Sequence, residues 1–277
     1  MSAMPNFHIY RGDGTTLHER GEKLPPFNRP QLLDDPEKYI AEEGVRNAVN
    51  VALALGMPLL VTGEPGTGKT ALADSIAHEL GLGKPLVFHT TTTATARDLF
   101  YQYDAIGHFR STQSKEPASI HQFISFQALG LAIRHAQNKS NNEPARSLVL
   151  IDEIDKAPRD LPNDILNEIE RLEFTVRETG DIYRANPNHR PIIVMTSNSE
   201  KHLPDAFLRR CVFYCIPFPD DAKKLEPIVR ARLQGHPLVA GDHLKKAINH
   251  FLKLRKLDLR KRPATAEFLA WASDSRS

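Results

Sequence analysis

The chain has 277 residues, of which 40% are hydrophobic and 25% are charged. This composition is typical of a globular protein and allows one large domain, or a core domain with a smaller second one. The formal net charge of +2 gives no sign of a polyanionic partner. Two cysteines exclude a disulfide framework, and no apolar run approaches the length of a membrane span. We expect a cytoplasmic protein without a signal peptide.

The pattern along the chain predicts alternating strands and helices. Residues 1–35 contain glycines and prolines without a sustained period, which predicts an arm or linker. An apolar stripe then predicts a helix that starts at Asp34–Glu37 and ends at Gly56. Further helical patterns cover 71–80, 123–136, 161–172 and 205–210. Short apolar runs predict five strands, at 58–62, 85–90, 147–151, 192–197 and 211–216.

Strands that alternate with helices predict a parallel α/β sheet. Residues 174–184 predict a β-hairpin, and for 104–117 a hairpin and an exposed insertion both remain open. After Pro217–Pro219 the pattern is helical only, at 222–233, 243–256 and 264–272. We therefore divide the chain into an arm (1–35), an α/β core (36–217) and a small helical domain (218–277).

Residues 63–70 read GEPGTGKT and match the P-loop pattern G-x-x-x-x-G-K-[ST]. A predicted strand precedes the loop and a helix follows it, so backbone N–H groups and the helix dipole would favour a bound anion. Lys69 can reach the β- and γ-phosphates of ATP, and the Thr70 hydroxyl can ligate Mg²⁺. The predicted nucleotide-binding residues of this segment are Gly63, Glu64, Pro65, Gly66, Thr67, Gly68, Lys69, Thr70 and Ala71.

Acidic and polar residues follow two further predicted strands. Asp152 and Glu153 come directly after the apolar run 148–151, and Asn198 closes the next strand. Because ligands of open α/β sheets lie at the carboxyl ends of the strands, these residues belong near the P-loop. Asp152 would help to hold Mg²⁺, Glu153 would polarise the attacking water, and Asn198 would orient it.

With these motifs in this order, the sequence resembles the AAA+ ATPases and, within them, the MoxR-like ATPases. The matching motifs are Walker A (GEPGTGKT), Walker B (LVLIDE), sensor 1 (TSN) and an arginine-finger segment (LPDAFLRRC). The resemblance extends over about residues 36–272. It implies a P-loop fold with a parallel five-stranded sheet flanked by helices, and a small C-terminal helical lid domain.

The resemblance also implies roles for the basic residues. Arg210 is the first candidate for an arginine finger that acts on ATP bound to a neighbouring subunit, and Arg209 is the second. A finger supplied by another subunit implies a homo-oligomer, commonly a hexameric ring. The family places its sensor 2 arginine after the lid proline, where this chain has Ala264 and Thr265. Arg262 is the candidate that replaces it, the alternative being that sensor 2 is absent.

The function implied by the resemblance is ATP hydrolysis that remodels or activates a partner protein, which in this family often carries a von Willebrand factor A domain. Two alternatives stay open: an assembly switch with slow hydrolysis, and an AAA+ protein that acts on DNA. The basic residues of 253–262 favour a solvated face, or one turned to nucleotide phosphates, over contact with nucleic acid. Cys211 and Cys215 fall on a strand expected to be buried, which predicts inert core thiols.

Overall fold

The computed structural model describes residues 35–113, 118–137, 143–198, 203–239 and 242–274. The chain divides into two compact units. One is Pro36–Asp220, and the other includes Asp35 and the residues from Asp221 onward. The N-terminal arm was predicted over residues 1–35, of which 1–34 lie outside the described part of the chain.

The first unit is built on a parallel sheet of five strands, in the order β2-β5-β8-β1-β9. Two antiparallel pairs, β3 with β4 and β6 with β7, accompany it. This architecture confirms the predicted fold class. The strands of the described residues are β1 (Leu59–Thr62), β2 (Leu86–His89), β3 (Tyr101–Tyr103), β4 (Ile124–Phe126), β5 (Leu148–Asp152), β6 (Glu173–Thr175), β7 (Ile182–Arg184), β8 (Ile192–Ser197) and β9 (Val212–Cys215).

The helices flank this sheet and make up the second unit. In the part of the chain that the structure describes, no helix combines the length and the hydropathy needed to cross a bilayer. The helices are α1 (Glu43–Leu55), α2 (Lys69–Glu79), α3 (Ala105–Thr112), α4 (Ala128–His135), α5 (Leu161–Asp164), α6 (Leu166–Arg171), α7 (Asp205–Leu208), α8 (Ala222–Arg232), α9 (His243–Arg255) and α10 (Thr265–Asp274).

Both faces of the sheet are covered, which explains why its central strands are continuously apolar. Successive residues of a strand point to opposite faces, so Leu148 and Leu150 of β5 join one core with side chains of α1 and α2. Val149 and Ile151 join the other core, which includes side chains of α4. The parallel register aligns the carboxyl ends of the strands: Thr62 pairs with Ser197 and with Cys215. The sheet therefore brings the ends of the predicted motif strands to one edge.

The first helix begins later than predicted. The Asp34–Glu37 start signal leads only to a single 3₁₀ turn, Pro36–Lys38, and α1 starts at Glu43. Between them Tyr39 packs against the core that includes side chains of α1 and α2, and it lies beside Gly68 of the P-loop, so tertiary packing outweighs the local start signal. The end of the helix is confirmed, because Gly56 has φ +62° and its N–H reaches the carbonyls of the last turn.

The stretch between β3 and β4 contains a helix that periodicity did not predict. Asp104 caps α3, accepting a hydrogen bond from the Gly107 N–H at 2.8 Å. The predicted helix over 123–136 is wrong at its start, since Ile124–Phe126 forms β4 and α4 begins at Ala128. The Phe126 ring packs edge-on against Tyr183 of β7, 5.2 Å between ring centroids, so the aromatic contact outweighs the local helical pattern.

The segment before the β6–β7 hairpin is also divided. The helix predicted over 161–172 consists of α5 and α6, separated at Ile165. The hairpin itself is confirmed, with Phe174 of β6 opposite Tyr183 of β7.

The second unit contains α8, α9 and α10, as the helical pattern of the C-terminal residues predicted. Its core includes an aromatic contact between Phe251 of α9 and Phe268 of α10, with ring centroids 4.7 Å apart. Arg232 at the end of α8 is buried, and its guanidinium donates to the Asp35 carbonyl at 2.6 Å. Each of these contacts lies within the unit.

Candidate active site

The loop 63–68 depends on glycine at two positions. Gly63 has φ +144°, and a Cβ there would lie 2.6 Å from the carbonyl oxygen of Ile216. Gly68 has φ +88° and forms the N-cap of α2 without a side-chain cap. Because no side chain satisfies the first N–H groups of α2, they are free to bind an anion, and the helix dipole favours one.

Lys69 is a buried cation at the start of α2, with 7% of its surface exposed. Its Nζ donates to the carbonyls of Gly63 at 2.9 Å and Glu64 at 3.0 Å. Burial lowers the pKa of Lys69, and the nearby carboxylates of Asp155, Asp152 and Glu153 oppose that shift. Within the described part of the chain, the hydrogen bonds of the ammonium group go to neutral carbonyls of its own loop, so a phosphate would supply a direct counter-charge.

Asp152 connects the P-loop to two neighbouring strands. Its Oδ1 accepts hydrogen bonds from the Thr70 hydroxyl at 3.2 Å and the Thr196 hydroxyl at 2.6 Å. Its Oδ2 lies 3.6 Å from Nδ1 of His89, which pairs with Asp152 across β2 and β5. Neighbouring oxygens around an octahedral Mg²⁺ lie about 2.9 Å apart, so the Thr70 and Asp152 oxygens are spaced as such a site requires. The donor set therefore fits Mg²⁺.

Glu153 occupies a backbone conformation that is unusual for its residue type. It has φ +57°, and its N–H donates to the Thr196 hydroxyl at 2.9 Å. A non-glycine residue in this region costs on the order of 1 kcal/mol or more, and such strain is common at functional sites. Asn198 Nδ2 donates to Oε1 of the carboxylate at 3.4 Å, and Lys156 Nζ donates to Oε2. The predicted pair Glu153 and Asn198 is thus brought together.

Three residues that contact Asp152, Glu153 or Asn198 were not predicted to be part of the site. Lys156 binds Glu153 across one 3₁₀ turn, and this hydrogen bond raises the pKa of the exposed Lys156 ammonium. Asp155 accepts the backbone N–H of Asn198 at 3.2 Å. His89 faces Asp152 from the end of β2. The contact of Lys156 could have been predicted from sequence, since Lys156 follows Glu153 by three residues. The contact of His89 could not, because it depends on β2 and β5 being adjacent in the sheet.

Arg209 and Arg210 do not join this cluster within the subunit. They line a cavity of about 190 Å³ with Gly56, Met57 and Pro58, which precede β1, whereas the P-loop follows β1. The Arg210 Nε lies 2.8 Å from Oε1 of Glu170, and both side chains are about half exposed. Arg209 is exposed, and its side chain has no ion pair or hydrogen bond to the described residues. Both arginines thus lie at the opposite edge of the sheet from Lys69.

Arg262 lies in the second unit, in the segment between α9 and α10, where it is exposed. Its neighbour Lys261 donates to Glu267 at 2.6 Å, and the other carboxylate oxygen of Glu267 accepts the N–H of Ala264 at 2.6 Å. These contacts organise the start of α10 without the Arg262 side chain. The predicted sensor 2 role of Arg262 stays a prediction.

The parallel sheet, the glycine loop at a helix N-terminus and the acids at the end of β5 define a P-loop nucleoside triphosphatase. Residues 58–211 match the family model described as AAA domain (dynein-related subfamily), and the chain belongs to that family. It is accordingly an AAA+ ATPase, an ATP hydrolase that binds nucleotide. Comparison with curated proteins finds no significant match.

Among solved structures, the chain is similar to a closed-state cryo-EM reconstruction of Hsp104 with ATPyS and FITC casein. The TM-score is 0.52 and the sequence identity is 18%. The similarity covers 87% of this chain but only 45% of that chain, so this chain spans less than half of its length. At this identity the comparison supports the AAA+ fold.

Proposed function

We propose that this AAA+ ATPase is MoxR-like, and that it hydrolyses ATP with Mg²⁺ between the subunits of a ring in order to remodel or activate a partner protein. One observation carries the proposal. Arg209 and Arg210 lie at the opposite edge of the sheet from the phosphate-binding residues, so neither arginine can complete the site of its own subunit without a large rearrangement. An arginine from another subunit can complete it.

In this mechanism the N–H groups of the P-loop and of the first turn of α2 bind the phosphates. The Lys69 ammonium exchanges its carbonyl partners for phosphate oxygens, which matches a buried cation to an anion. Thr70 and Asp152 would hold Mg²⁺, which when bound neutralises charge on the phosphates. These residues position the substrate and leave proton transfer to the neighbouring acid.

Glu153 accepts a proton from the attacking water in the proposed reaction. Asn198 and Lys156 each donate to one oxygen of this carboxylate and so fix its orientation. Asp152 is the last residue of β5, and the left-handed backbone of Glu153 changes the direction of the chain directly after it. Both side chains therefore lie at the carboxyl edge of the sheet. In this mechanism Asp152 therefore binds the metal ion, and Glu153 binds the attacking water.

Arg210 is the proposed finger, with Arg209 as the second candidate. Glu170 binds the Nε of Arg210, which leaves its two terminal nitrogens available for a phosphate of the neighbouring subunit. Arg209 has no such partner among the residues described. A finger of this kind contributes on the order of 10³-fold or more to the rate.

The partner and the assembly follow from the family and the resemblance. We propose a homo-oligomeric, commonly hexameric ring in the cytoplasm, Arg262 as sensor 2, and a protein substrate that contains a von Willebrand factor A domain. The Hsp104 reconstruction includes casein, a protein, together with ATPyS, which supports a protein substrate. Hydrolysis would move the C-terminal helical unit relative to the core.

A nucleotide-dependent assembly switch with slow hydrolysis is the second candidate. The observation that favours it is the Lys156 contact, because the ammonium group already occupies one oxygen of the carboxylate that would bind the attacking water. The third candidate, an AAA+ protein that acts on DNA, predicts turnover that nucleic acid stimulates and salt weakens.

A mixing experiment tests the shared site. Glu153→Gln supplies an intact Arg210 but no base, and Arg210→Ala supplies an intact base but no finger. Each variant alone should be nearly inactive, and an equal mixture should regain about a quarter of the wild-type rate through interfaces that combine both intact residues. Arg209→Ala tests the second candidate: it should retain activity if Arg210 is the finger, and it should behave as Arg210→Ala does here if Arg209 is the finger. The rate per subunit should rise with protein concentration as the particle mass increases.

Two results would count against the proposal. A mixture that stays inactive although the two variants assemble together would exclude Arg210 as a finger acting between subunits. A rate per subunit that is independent of concentration in a persistent monomer would make the switch the better description.

A further inference from the structure

The cavity beside the proposed arginine finger has a further arginine in its wall. Arg190 lines this cavity of about 190 Å³ together with Glu170 and Arg210. It also lines a neighbouring cavity of about 310 Å³, whose wall includes the end of α1. Arg190 belongs to none of the motifs that indicated the site, and it lies just before the start of β8 at Ile192. Its contacts therefore have to show what it does there.

The Arg190 side chain connects the start of β8 to the end of α6. One of its terminal nitrogens, Nη2, donates to the carbonyls of Ile169 at 3.3 Å and Glu170 at 3.2 Å. The aliphatic part of the side chain lies against the end of α1, since a Cβ at Gly56 would be 3.7 Å from Cδ of Arg190. Packing and hydrogen bonds together thus hold this side chain in place.

The end of α6 benefits from such a partner. The last four carbonyls of a helix have no partner within the helix, and a cation is favourable at this end. α6 has only six residues, and Leu172 leaves the right-handed helical region directly after it, with φ +48°. A helix this short has little stability of its own. Arg190 therefore helps to fix where α6 ends.

Glu170 lies in the last turn of α6 and interacts with both arginines. Its backbone carbonyl accepts from Arg190, and Oε1 of its side chain lies 2.8 Å from Nε of Arg210. Burial lowers the pKa of the Arg190 guanidinium, and the negative charge of Glu170 opposes that shift, so the carboxylate is also within electrostatic range of Arg190. The position of this carboxylate thus depends on Arg190, and the direction of the Arg210 side chain depends on the carboxylate.

Arg190 is poorly placed to act as a finger itself. It is half-buried, whereas Arg210 is exposed. To reach a nucleotide of another subunit, Arg190 would have to release the carbonyls of Ile169 and Glu170, which would leave the end of α6 without these hydrogen bonds. An indirect role fits its contacts better.

We infer that Arg190 is a positioning residue for the reaction in the neighbouring subunit: it fixes the end of α6, so that Glu170 holds the Arg210 guanidinium toward the ATP of that subunit. This role rests on the proposed function, in which Arg210 completes the site of another subunit. Accurate placement matters for such a finger, because a misplacement of about 1 Å can reduce a rate by as much as about 10²-fold.

Substitution of Arg190 should have a smaller effect than this limit. Arg190 acts through the half-exposed pair of Glu170 and Arg210, so Arg190→Met, which keeps the aliphatic stem, should lower kcat by about three- to fivefold and leave KM unchanged. Both hydrogen bonds of Arg190 come from a single nitrogen, and a lysine ammonium group can replace them. Arg190→Lys should therefore retain kcat within about twofold of wild type.

A mixing experiment shows in which subunit Arg190 acts. The reference is an equal mixture of Glu153→Gln subunits, which supply the finger, and Arg210→Ala subunits, which supply the base. Arg190→Met is then introduced into one of the two at a time. In the Glu153→Gln subunits it should lower the rate of the mixture by about three- to fivefold. In the Arg210→Ala subunits it should have no further effect, because the finger that it positions is already absent.

Arg146 provides a matched control. It lines the same cavity of about 310 Å³, but its guanidinium donates to the Asn188 carbonyl at 3.0 Å and not to α6. Arg146→Met should leave the rate of both mixtures unchanged. The thermal unfolding and the particle mass of every variant show whether folding and assembly are retained. If Arg190→Met does not assemble, Arg190→Gln, which shortens the reach of the donor, gives the same comparison.

Two results would overturn the inference. Equal losses in the two mixtures would show that Arg190 acts on its own subunit, through general stability or through that subunit's own nucleotide site. Absence of a loss in either mixture would show that α6 places Glu170 without Arg190. A reference mixture that stays inactive, although its variants assemble together, would instead contradict the shared site of the proposed function, and Arg190 would then have no finger to position.

Discussion

Glu153 is the residue on which proposed turnover depends most directly. Glu153→Gln keeps the shape of the side chain and its contact with Asn198 but removes the proton acceptor. We expect turnover to fall by about 10²- to 10⁴-fold, while affinity for ATP changes little because Lys69 and the P-loop are intact. Steady-state ATPase assays and nucleotide titrations measure the two effects separately. Glu79→Gln, at the exposed end of α2, is the control. Residual turnover within tenfold of wild type would assign the base to another group.

Glu170 offers a second test at the scale of single residues. If it orients the Arg210 finger through Nε, Glu170→Gln should lower kcat without raising KM. The pair is about half exposed, so the loss should not exceed about fivefold, equivalent to roughly 1 kcal/mol. Glu173→Gln removes a comparable exposed pair with Arg184 in the β6–β7 hairpin and should leave kcat unchanged. Equal losses in both variants would indicate a general effect of surface charge.

The two cysteines differ, which corrects the prediction that both are inert core thiols. Cys211 is buried, and burial raises the pKa of its thiol to about 12. Cys215 is exposed, because β9 is an edge strand. At pH 8 only about one Cys211 thiol in 10⁴ is ionised, and the thiolate is the reactive form. Iodoacetamide should therefore modify Cys215 alone in the native protein and both residues in urea, as peptide mass mapping would show. Modification of native Cys211 would contradict this assignment.

At the scale of elements, the sheet was easier to predict than the helices. Its strands are short apolar runs bounded by turn residues, and their carboxyl ends carry the motif residues, so Lys69, Asp152 and Asn198 could be assigned to one edge. The starts of α1 and α4 could not be predicted, since Tyr39 and Phe126 are drawn into contacts with residues distant in sequence. Local propensity carries no information about such packing.

The same limit applies to the site. Sequence spacing indicates that Glu153 and Asn198 close neighbouring strands, but it cannot show that Glu170 of α6 reaches Arg210 after α7. Nor does it show that the backbone at Glu153 is left-handed, because glutamate has no preference for that region. Contacts across elements and strained backbone depend on the folded chain. The contact with Glu170 is also the feature that distinguishes Arg210 from Arg209.

The packing of α4 gives a prediction at this scale. A Cβ at Gly130 would lie 1.9 Å from the carbonyl oxygen of Phe100, so Gly130→Ala must push α4 away from that segment. Overpacking of this kind costs about 1–3 kcal/mol, or roughly 2–12 °C in Tm. At Gly81 a Cβ meets nothing within 4 Å, and only its φ of +65° is strained, so Gly81→Ala should cost about 1 kcal/mol. Thermal unfolding measures both. A smaller loss at Gly130 than at Gly81 would contradict the packing described.

At the scale of the whole molecule, the two units hold different parts of the proposed function. The core unit holds the residues that bind nucleotide and the proposed finger, while the C-terminal unit holds Arg262. A machine that converts hydrolysis into work on a partner requires the second unit to respond to the nucleotide. A ligand stabilises only the folded elements that it contacts and those that unfold together with them. The effect of nucleotide on the unfolding of the C-terminal unit therefore measures the coupling between the two units.

This coupling can be measured, because Trp271, the single tryptophan of the chain, reports on the C-terminal unit alone whereas far-UV circular dichroism reports on both units. A slowly hydrolysed ATP analogue with Mg²⁺, at about 100 times its dissociation constant, should stabilise what it binds by about 2.7 kcal/mol. If Arg262 contacts the nucleotide, the Trp271 transition should rise by several degrees together with the circular dichroism transition. In Arg262→Ala the circular dichroism transition should still rise, but the Trp271 transition should rise less. A Trp271 midpoint that nucleotide leaves unchanged in the wild-type chain would confine binding to the core unit and exclude a mechanism in which the C-terminal helices transmit the cycle.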